Sequence, residues 1–382
     1  MNRPRILIFS LAYFPHVGGA EVAVKKITDR LPDYDFELIT LKFSKDEEPI
    51  EKMGNVLVRR VSRGRRLRHF FPIAATRLAS RLHRSKPYDL VWAVMANQAG
   101  MAGASFKRRF PKVPFLLILQ EGDNLNSFAY RLRLLGPKLW QVFKRADEIQ
   151  TISHYLADWA RQMGAKCPIV VIPNGVDLGN IKLQARGYPP RRRAGKLQAN
   201  PIIITTSRLV KKNGVDTLIE ALRFLPENIK LQILGTGLLK DKLKLQATSH
   251  KLQARVEFLG QINPTQVAEY LSQADVFARP SRSEGLGNSF LEAMAAGLPT
   301  IGTPVGGIPD FLKEGETGWL CPPDNPRALA EKIDFVLDPA HKEEVTKITT
   351  QAQLLVRQNY DWQAISQKMS KIIDNLTSVD KI

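Results

Sequence analysis

Short apolar runs rich in Ile, Val, Leu and Phe alternate along this chain with amphipathic stretches about three to four turns long, and this alternation constrains the fold more than any single motif. In the first half the predicted strands are Arg5–Ser10, Phe36–Leu41, Val56–Arg60, Leu90–Met95, Phe115–Gln120, Glu148–Ile152 and Ile169–Ile172. The pattern restarts with Ile202–Thr206, Leu231–Leu234, Val256–Leu259, Val276–Ala278, Thr300–Gly302 and Trp319–Cys321. Near-continuous hydrophobic strands separated by helices imply α/β architecture with parallel sheets covered on both faces. Two successive sets imply two Rossmann-like domains, expected over residues 1–179 and 201–361. Between them, 180–200 read as a basic linker: Tyr188, Pro189, Pro190 and Arg191 to Arg193 interrupt the periodicity, and the segment holds no acid.

The composition fits that reading. With 382 residues, 44% apolar and 24% charged, the chain can bury a sizeable core, which excludes intrinsic disorder as a general description. Cys167 and Cys321 are too few for a disulfide framework or a cysteine-based zinc site, and fit a reducing compartment. No apolar run is long enough to span a bilayer; segments such as Val113 to Leu119 read as buried strands. Arg3 and Arg5 before Ile6 to Phe14 have the outline of a secretory signal. Ser10 interrupts that stretch, however, and Pro15 and Glu21 follow it, so it is read as a strand. The tetrapeptide Lys-Leu-Gln-Ala begins at Lys182, Lys196, Lys244 and Lys251, at gaps too unequal for a solenoid repeat.

The formal net charge of +19 is uneven. Residues 1–180 hold 29 Lys plus Arg against 16 Asp plus Glu, and the remainder 27 against 21. Arg59, Arg60, Arg63, Arg65, Arg66 and Arg68 crowd together next to Phe70 and Phe71, with no acid between Glu51 and Asp89. Such a patch suits nucleic-acid phosphates, an anionic membrane face or an acidic substrate, unless it is simply a solvated basic face.

In a two-domain α/β protein ligands bind beyond the carboxyl ends of the strands, so the informative residues should follow strands. Three loops stand out. Tyr13 to Glu21 contains Gly18 and Gly19 ahead of a helix, where backbone can approach a ligand and free amides meet an anion. Ser207 to Asp216 carries Arg208, Lys211 and Lys212, suited to a diphosphate through charge-assisted bonds, or to a solvent-facing basic turn. The third and strongest runs from Pro280 to Pro299: a glycine-containing loop enters a helix with Glu284 before it and Glu292 inside it. Carboxylates accept hydrogen bonds from vicinal hydroxyls, so one can hold a ribose and the other a hexose, while the amides of Leu286, Gly287 and Asn288 meet phosphates between them. Paired carboxylates also suit a glycosidase, which has no need of the adjoining glycines.

On these residues the chain resembles the family 4 glycosyltransferases, retaining GT-B enzymes in which two Rossmann-like domains face each other across a deep cleft. The likeness runs over nearly the whole chain. Its most specific mark is the Glu-x7-Glu pattern of Glu284 and Glu292, followed by Ala-Met-Ala-Ala-Gly-Leu-Pro. Supporting marks are Phe14 to Glu21, Ile172 to Asp177, Ser207 to Val210, Gly306-Gly307 and Thr317 to Trp319. The resemblance implies that Glu284 contacts donor-sugar hydroxyls, Glu292 the ribose, Arg208 the diphosphate and Gly19 the phosphate side, with Gln261 and Ile262 near the base. It also implies that a final helix, within 362–382, packs back on the N-terminal domain. Two departures stand out. Asn213 occupies the place where the family often has lysine, with Lys212 one position earlier. Glu121 follows the strand where many relatives place a histidine; His16 and His154 are other candidates for that role.

The implied reaction is transfer of a sugar from a nucleotide-sugar donor to a hydroxyl of a glycan or lipid-linked acceptor, with retention, in cell-surface polysaccharide or glycolipid synthesis. Arg208 and Lys212 would neutralise the leaving diphosphate, and Glu284 and Glu121 complete the expected catalytic set. The scheme calls for no cofactor beyond the co-substrate and no metal. Asp33-Tyr34-Asp35 is a literal Asp-x-Asp, but it lies between a helix and a strand, away from the strand ends that build the cleft. The arginine patch with Phe70 and Phe71 would then dock the enzyme on the cytoplasmic face of the plasma membrane. Alternatives are a non-catalytic sugar-nucleotide sensor and, less well matched, a nucleic-acid-binding protein, for which no recognised module is present.

Overall fold

The structure is a computed structural model and describes residues 3–16, 18–63, 65–122, 137–179 and 200–378. Residues 180–199 of the expected linker lie outside these. The chain divides into two compact units, Met1–Asn174 with Trp362–Ile382, and Gly175–Asp361.

The first unit is built on an eight-stranded sheet, in the order β3-β4-β2-β1-β5-β6-β7-β8. These are β1 (Arg5–Phe9), β2 (Asp35–Lys42), β3 (Ile50–Met53), β4 (Val56–Arg63), β5 (Leu90–Val94), β6 (Phe115–Leu119), β7 (Glu148–Thr151) and β8 (Ile169–Val171). The interior strands β5 and β6 are buried at every residue, as a parallel sheet covered on both faces requires. The sheet is not wholly parallel. Strand β3, absent from the sequence reading, pairs antiparallel with β4 at the edge. Its Ile-Glu-Lys-Met sequence alternates between exposed and half-buried positions, so it lacks the apolar run that marks the others.

The second unit has a six-stranded, all-parallel sheet in the order β11-β10-β9-β12-β13-β14. Its strands are β9 (Ile202–Thr206), β10 (Lys230–Leu234), β11 (Val256–Gly260), β12 (Val276–Ala278), β13 (Thr300–Gly302) and β14 (Trp319–Leu320). Ile203, Leu218, Ile233, Ile301, Leu329 and Ile333 belong to one core cluster that joins sheet and helices.

One device recurs at the amino ends of the strands. Asp89, directly before β5, accepts the Arg5 amide of β1 at 2.7 Å; Asp147, before β7, accepts that of Phe115 at 2.6 Å; Asp275, before β12, accepts that of Ile202 at 2.8 Å. Each carboxylate satisfies a donor that the ladder leaves over, so this end of the sheets is tied down by short side chains. At the opposite ends the loops diverge. Strand order reverses beside the first strand of each sheet, between β1 and β5 and between β9 and β12, which are the topological switch points where open α/β sheets form crevices.

Helix α1 (Gly19–Thr28) buries Ala20, Ala23, Val24 and Ile27 against the first sheet. The helix Trp362–Ser378 enters the same core through Trp362, Ile365, Met369 and Ile373, and the Tyr34 hydroxyl donates to Asp374 at 2.6 Å. Where the chain enters and leaves the second unit, the Val176 amide donates to the Tyr360 carbonyl at 2.7 Å and Val176 bridges Asp361. Among the described residues no helix is long and apolar enough to cross a membrane.

The expected arginine patch is corrected by this fold. Arg59 pairs with Glu37 of β2, and Arg60, its side chain 2% exposed, bonds to Glu51 at 2.9 Å and to the carbonyls of Glu48 and Phe14. Phe71 is fully buried. Arg60 and Phe71 belong to the interior and Arg59 is half-buried, because β2 brings Glu37 to Arg59 and the β3 edge brings Glu51 to Arg60. The side chains of Arg63, Arg65 and Arg66 lie outside the described residues. Arg68 and Phe70 are exposed, and helix α2 (Phe71–Ser85) continues the surface with exposed Ile73, Arg77, Arg81 and Arg84 at helical spacing.

Candidate functional site

The switch point of the second sheet is built from backbone upward. After β9, Ser207 donates its amide to the carbonyl of Leu234 at the end of β10 and Leu209 to that of Thr236 in the loop beyond, both at 2.9 Å. Leu209 is fully buried, which leaves Arg208 on the outer side of the turn. Lys211–Asn213 form a single turn of 3-10 helix. Asn213, 2% exposed, closes the loop by donating its side-chain amide to the Arg208 carbonyl at 2.6 Å. Arg208 is exposed and has no ion pair among the described residues, while Lys212 is half-buried. Two cations therefore flank the end of β9, one of them free to meet an anion.

The loop after β12 supplies the carboxylates. Glu284 is nearly buried, and its backbone carbonyl receives the Gly307 amide at 3.1 Å. Gly306 lies against that carbonyl with φ +58°; a β-carbon there would come within 1.8 Å of the oxygen. The Gly306-Gly307 pair thus sets where Glu284 sits. Gly287, in the left-handed region, then caps the helix Asn288–Ala295, whose Phe290, Leu291, Ala293 and Met294 are buried. Glu292 projects from the remaining face. It is half-buried, its carboxylate accepts no hydrogen bond among the described residues, and burial pushes its pKa up to about 7 despite the opposing charge of Arg279.

Arg279 is the residue that sequence reasoning missed. It follows β12, is 7% exposed, donates to Ser289 Oγ at 2.6 Å and to Asn213 Oδ1 at 3.2 Å, and forms an ion pair with Glu284. Its guanidinium also lies 5.4 Å from the centre of the Phe290 ring. The sequence holds only a hint of this: a charged residue directly follows a wholly buried strand and precedes Pro280. Arg282 has a different task. It grips Asp216 with two bonds of 2.8 Å and Asp324 with one of 2.5 Å, pinning the loop to the helix Val215–Ala221.

The second unit therefore brings together Arg208, Lys212, Glu284, Glu292 and the segment Leu286 to Asn288. Gln261 and Ile262 follow β11 at the sheet's outer edge, two strands from β9, with Gln261 exposed. In the first unit, the Gly18 amide is taken by the Glu21 carboxylate at 2.7 Å as a helix cap, so it is not free for an anion. Gly19 is exposed, with open space where a side chain would be. Glu121 is buried after β6, and its carboxylate accepts the Ala96 amide beyond β5 at 2.6 Å. His16 pairs with Glu47 at 2.8 Å and packs edge-on to Phe43, and His154 opens the helix His154–Gln162. Asp33 and Asp35 flank the amino end of β2, opposite the functional strand ends, and among the described residues no cluster of acids, histidines and cysteines is arranged to hold a metal ion.

Comparison with known proteins places the fold and the family. The model of Glycosyltransferase Family 4 matches residues 17–180 and that of Glycosyl transferases group 1 matches residues 190–354. An uncharacterized glycosyltransferase of Methanocaldococcus jannaschii is 27% identical over 96% of this chain and 97% of its own length. A putative colanic acid biosynthesis glycosyltransferase of Escherichia coli is 30% identical over 63% of this chain and 59% of its own. Among solved structures, Anabaena HepE in complex with UDP and glucose superposes with a TM-score of 0.77 at 21% identity, over 97% of this chain and all of that one.

Proposed function

Since the chain belongs to the family 4 glycosyltransferases, a group that includes enzymes of polysaccharide biosynthesis, we propose that it moves a sugar from a nucleotide-sugar donor to a hydroxyl of a glycan or lipid-linked acceptor, with retention. The observation that carries this reading is Glu292. A shielded carboxylate with no protein donor, inside the helix that Gly287 opens and within the field of Arg279, suits a vicinal diol, and the Arg208–Lys212 loop of the same unit suits the adjoining diphosphate. HepE, of the same fold, was solved with UDP and glucose.

In this reading Glu292 receives the ribose hydroxyls, Arg208 and Lys212 the diphosphate, and Glu284 the hydroxyls of the transferred sugar. As the sugar–phosphate bond breaks, charge grows on the leaving oxygen. That oxygen takes the proton of the incoming acceptor hydroxyl on the same face of the sugar, and the new glycosidic bond forms there. The protein contributes position and fixed positive charge, not a nucleophile. Gly19 and Glu121 stand at the strand ends of the first unit, where the acceptor side is expected.

A melting-temperature panel of UDP-, GDP- and ADP-sugars tests the donor site directly, because a ligand that binds only the native state stabilises it by mass action. One nucleotide class should raise the melting temperature of the wild type and leave Glu292→Ala unmoved. Absence of any shift at millimolar donor, together with no turnover, would sink the proposal.

The exposed surface of Arg68, Phe70, Ile73, Arg77, Arg81 and Arg84 suits an anionic membrane face, where a lipid-linked acceptor would be presented. At about 1 kcal/mol for the arginine and about 2 for the phenylalanine, Arg68→Ser with Phe70→Ser should weaken binding to phosphatidylserine vesicles roughly a hundredfold. Donor binding should be unchanged. Equal sedimentation of variant and wild type would remove the membrane from the reading.

A further inference from the structure

Arg279 is a guanidinium buried between the two loops that carry the site, and nothing in its surroundings makes it a simple surface tie. One terminal nitrogen bonds Ser289; the other reaches both Asn213 and Glu284. The buried Nε–H has no partner among the described residues. A guanidinium placed only for packing would have its donors satisfied, since an unpaired buried donor costs stability. Removing the guanidinium would leave two carboxylates without a counter-charge: Glu284 has no other cation within 4 Å among the described residues, and Glu292 feels only the Arg279 charge against its burial.

The partner at the far end of the bridge is equally informative. Asn213 is neutral, buried and committed in both directions, donating to the Arg208 carbonyl and accepting from Arg279. It stands one residue after Lys212, at the position where the resemblance implies a cation. The loop after β9 thus lacks a fixed charge at its inner end, and β12 supplies one from the neighbouring strand.

We propose that Arg279 is the charged positioning residue of the donor site, holding the Glu284 carboxylate for the sugar and binding the two loops together through Asn213, in place of a cation at position 213. This deepens the donor-site reading above and rests on it. Arg279 does not itself touch the reacting atoms. Its effect on the reaction passes through Glu284, whose carboxylate must stay aimed as the sugar departs.

The test is a charge-relocation cycle on the full chain: wild type, Arg279→Leu, Asn213→Lys and the double variant, assayed with the donor that the melting panel identifies. Arg279→Leu should lower kcat about a hundredfold with less than about a fivefold change in donor KM, as for loss of an interaction that matters chiefly in the transition state. Asn213→Lys alone sets two cations against each other and should cost about tenfold. The double variant should regain at least about tenfold over Arg279→Leu, a coupling that independent structural damage does not produce. Recovery is partial because Asn213 also holds the Arg208 carbonyl. A double variant as poor as the product of the two singles overturns the proposal.

Arg279→Lys and Arg279→Gln give the same reading should the leucine variant fail to fold. Lysine keeps the charge without the fork and should retain at least about ten times the activity of glutamine; equal activities overturn the proposal. The wild-type arm separates the two levels of inference. A wild type that neither binds nor turns over any nucleotide sugar refutes the donor reading, whereas an active wild type with additive variants refutes the role of Arg279.

Discussion

Replacing Glu292 with glutamine should raise the melting temperature of the ligand-free enzyme at about pH 8 and, in the same protein, abolish the shift produced by the proposed nucleotide-sugar donor. The two effects have one cause. Burial lifts the Glu292 pKa from its ordinary 4.5 to about 7, so the folded state holds this proton more tightly than the unfolded chain does. Ionisation therefore weakens the fold. The penalty is absent below the unfolded value of 4.5, grows as the pH rises, and is complete above about 7. At about 1.4 kcal/mol per pH unit it amounts to about 3 kcal/mol, or several degrees for a unit of this size. Glutamine carries no charge to bury, so its advantage should vanish toward about pH 4, while the lost acceptor pair should persist at every pH. Melting curves of both proteins at the two pH values, with and without donor, check each half. A glutamine variant that is less stable at the higher pH would mean that the carboxylate serves the fold and not a ligand.

Gly306→Ala should be among the most damaging single changes in the second unit, although Gly306 contributes no side chain to the site. The added methyl would need to occupy space 1.8 Å from the Glu284 carbonyl oxygen, in a backbone conformation that already disfavours any residue with a β-carbon. Backbone cannot give way there as a flexible side chain would, so the loop must move. A cost of about 3 kcal/mol is expected from strain and displacement together. Movement of Glu284 by even an ångström should lower kcat/KM by at least about a hundredfold. Gly315 provides the control: its φ is +69°, but its β-carbon would meet nothing within 4 Å. Gly315→Ala should cost only about 1 kcal/mol and leave turnover intact. Urea melts and steady-state kinetics on the pair would separate conformational strain from the loss of this particular contact. Similar activity in both variants would show that Gly306 does not set the position of Glu284.

Thirteen strands announce themselves in the sequence because a parallel sheet demands apolar side chains on both faces, a local property. Edge strand β3 does not, since its faces carry Glu51 and Lys52 as readily as Ile50. The arginines of β4 show the opposite failure. In a sequence window Arg59 and Arg60 have no acid after Glu51 for many positions, yet register with β2 sets Arg59 beside Ile39, and Glu37 on that strand takes up its charge. Charge density along a chain says nothing about charge across a sheet. The candidate site loops could be picked out in the sequence because glycines, carboxylates and helix starts lie within a few residues of one another. Arg279 was not, because its partners Asn213 and Glu284 come from two different loops and its meaning depends on the distance between them.

The passage of the chain through the two units also sets an order on synthesis. The first unit to begin is interrupted after Asn174, and its core remains open until Trp362, Ile365, Met369 and Ile373 arrive. The second unit, by contrast, is one uninterrupted segment, Gly175–Asp361, with every strand of its sheet in hand before the returning helix is made. On a ribosome, where segments fold as they emerge, the unit that is started second is the one that can be finished first. Until the closing helix emerges, the groove beside α1 and β5 exposes apolar surface to the cell, and a nascent chain stalled there would hold a completed second unit attached to an unfinished first one.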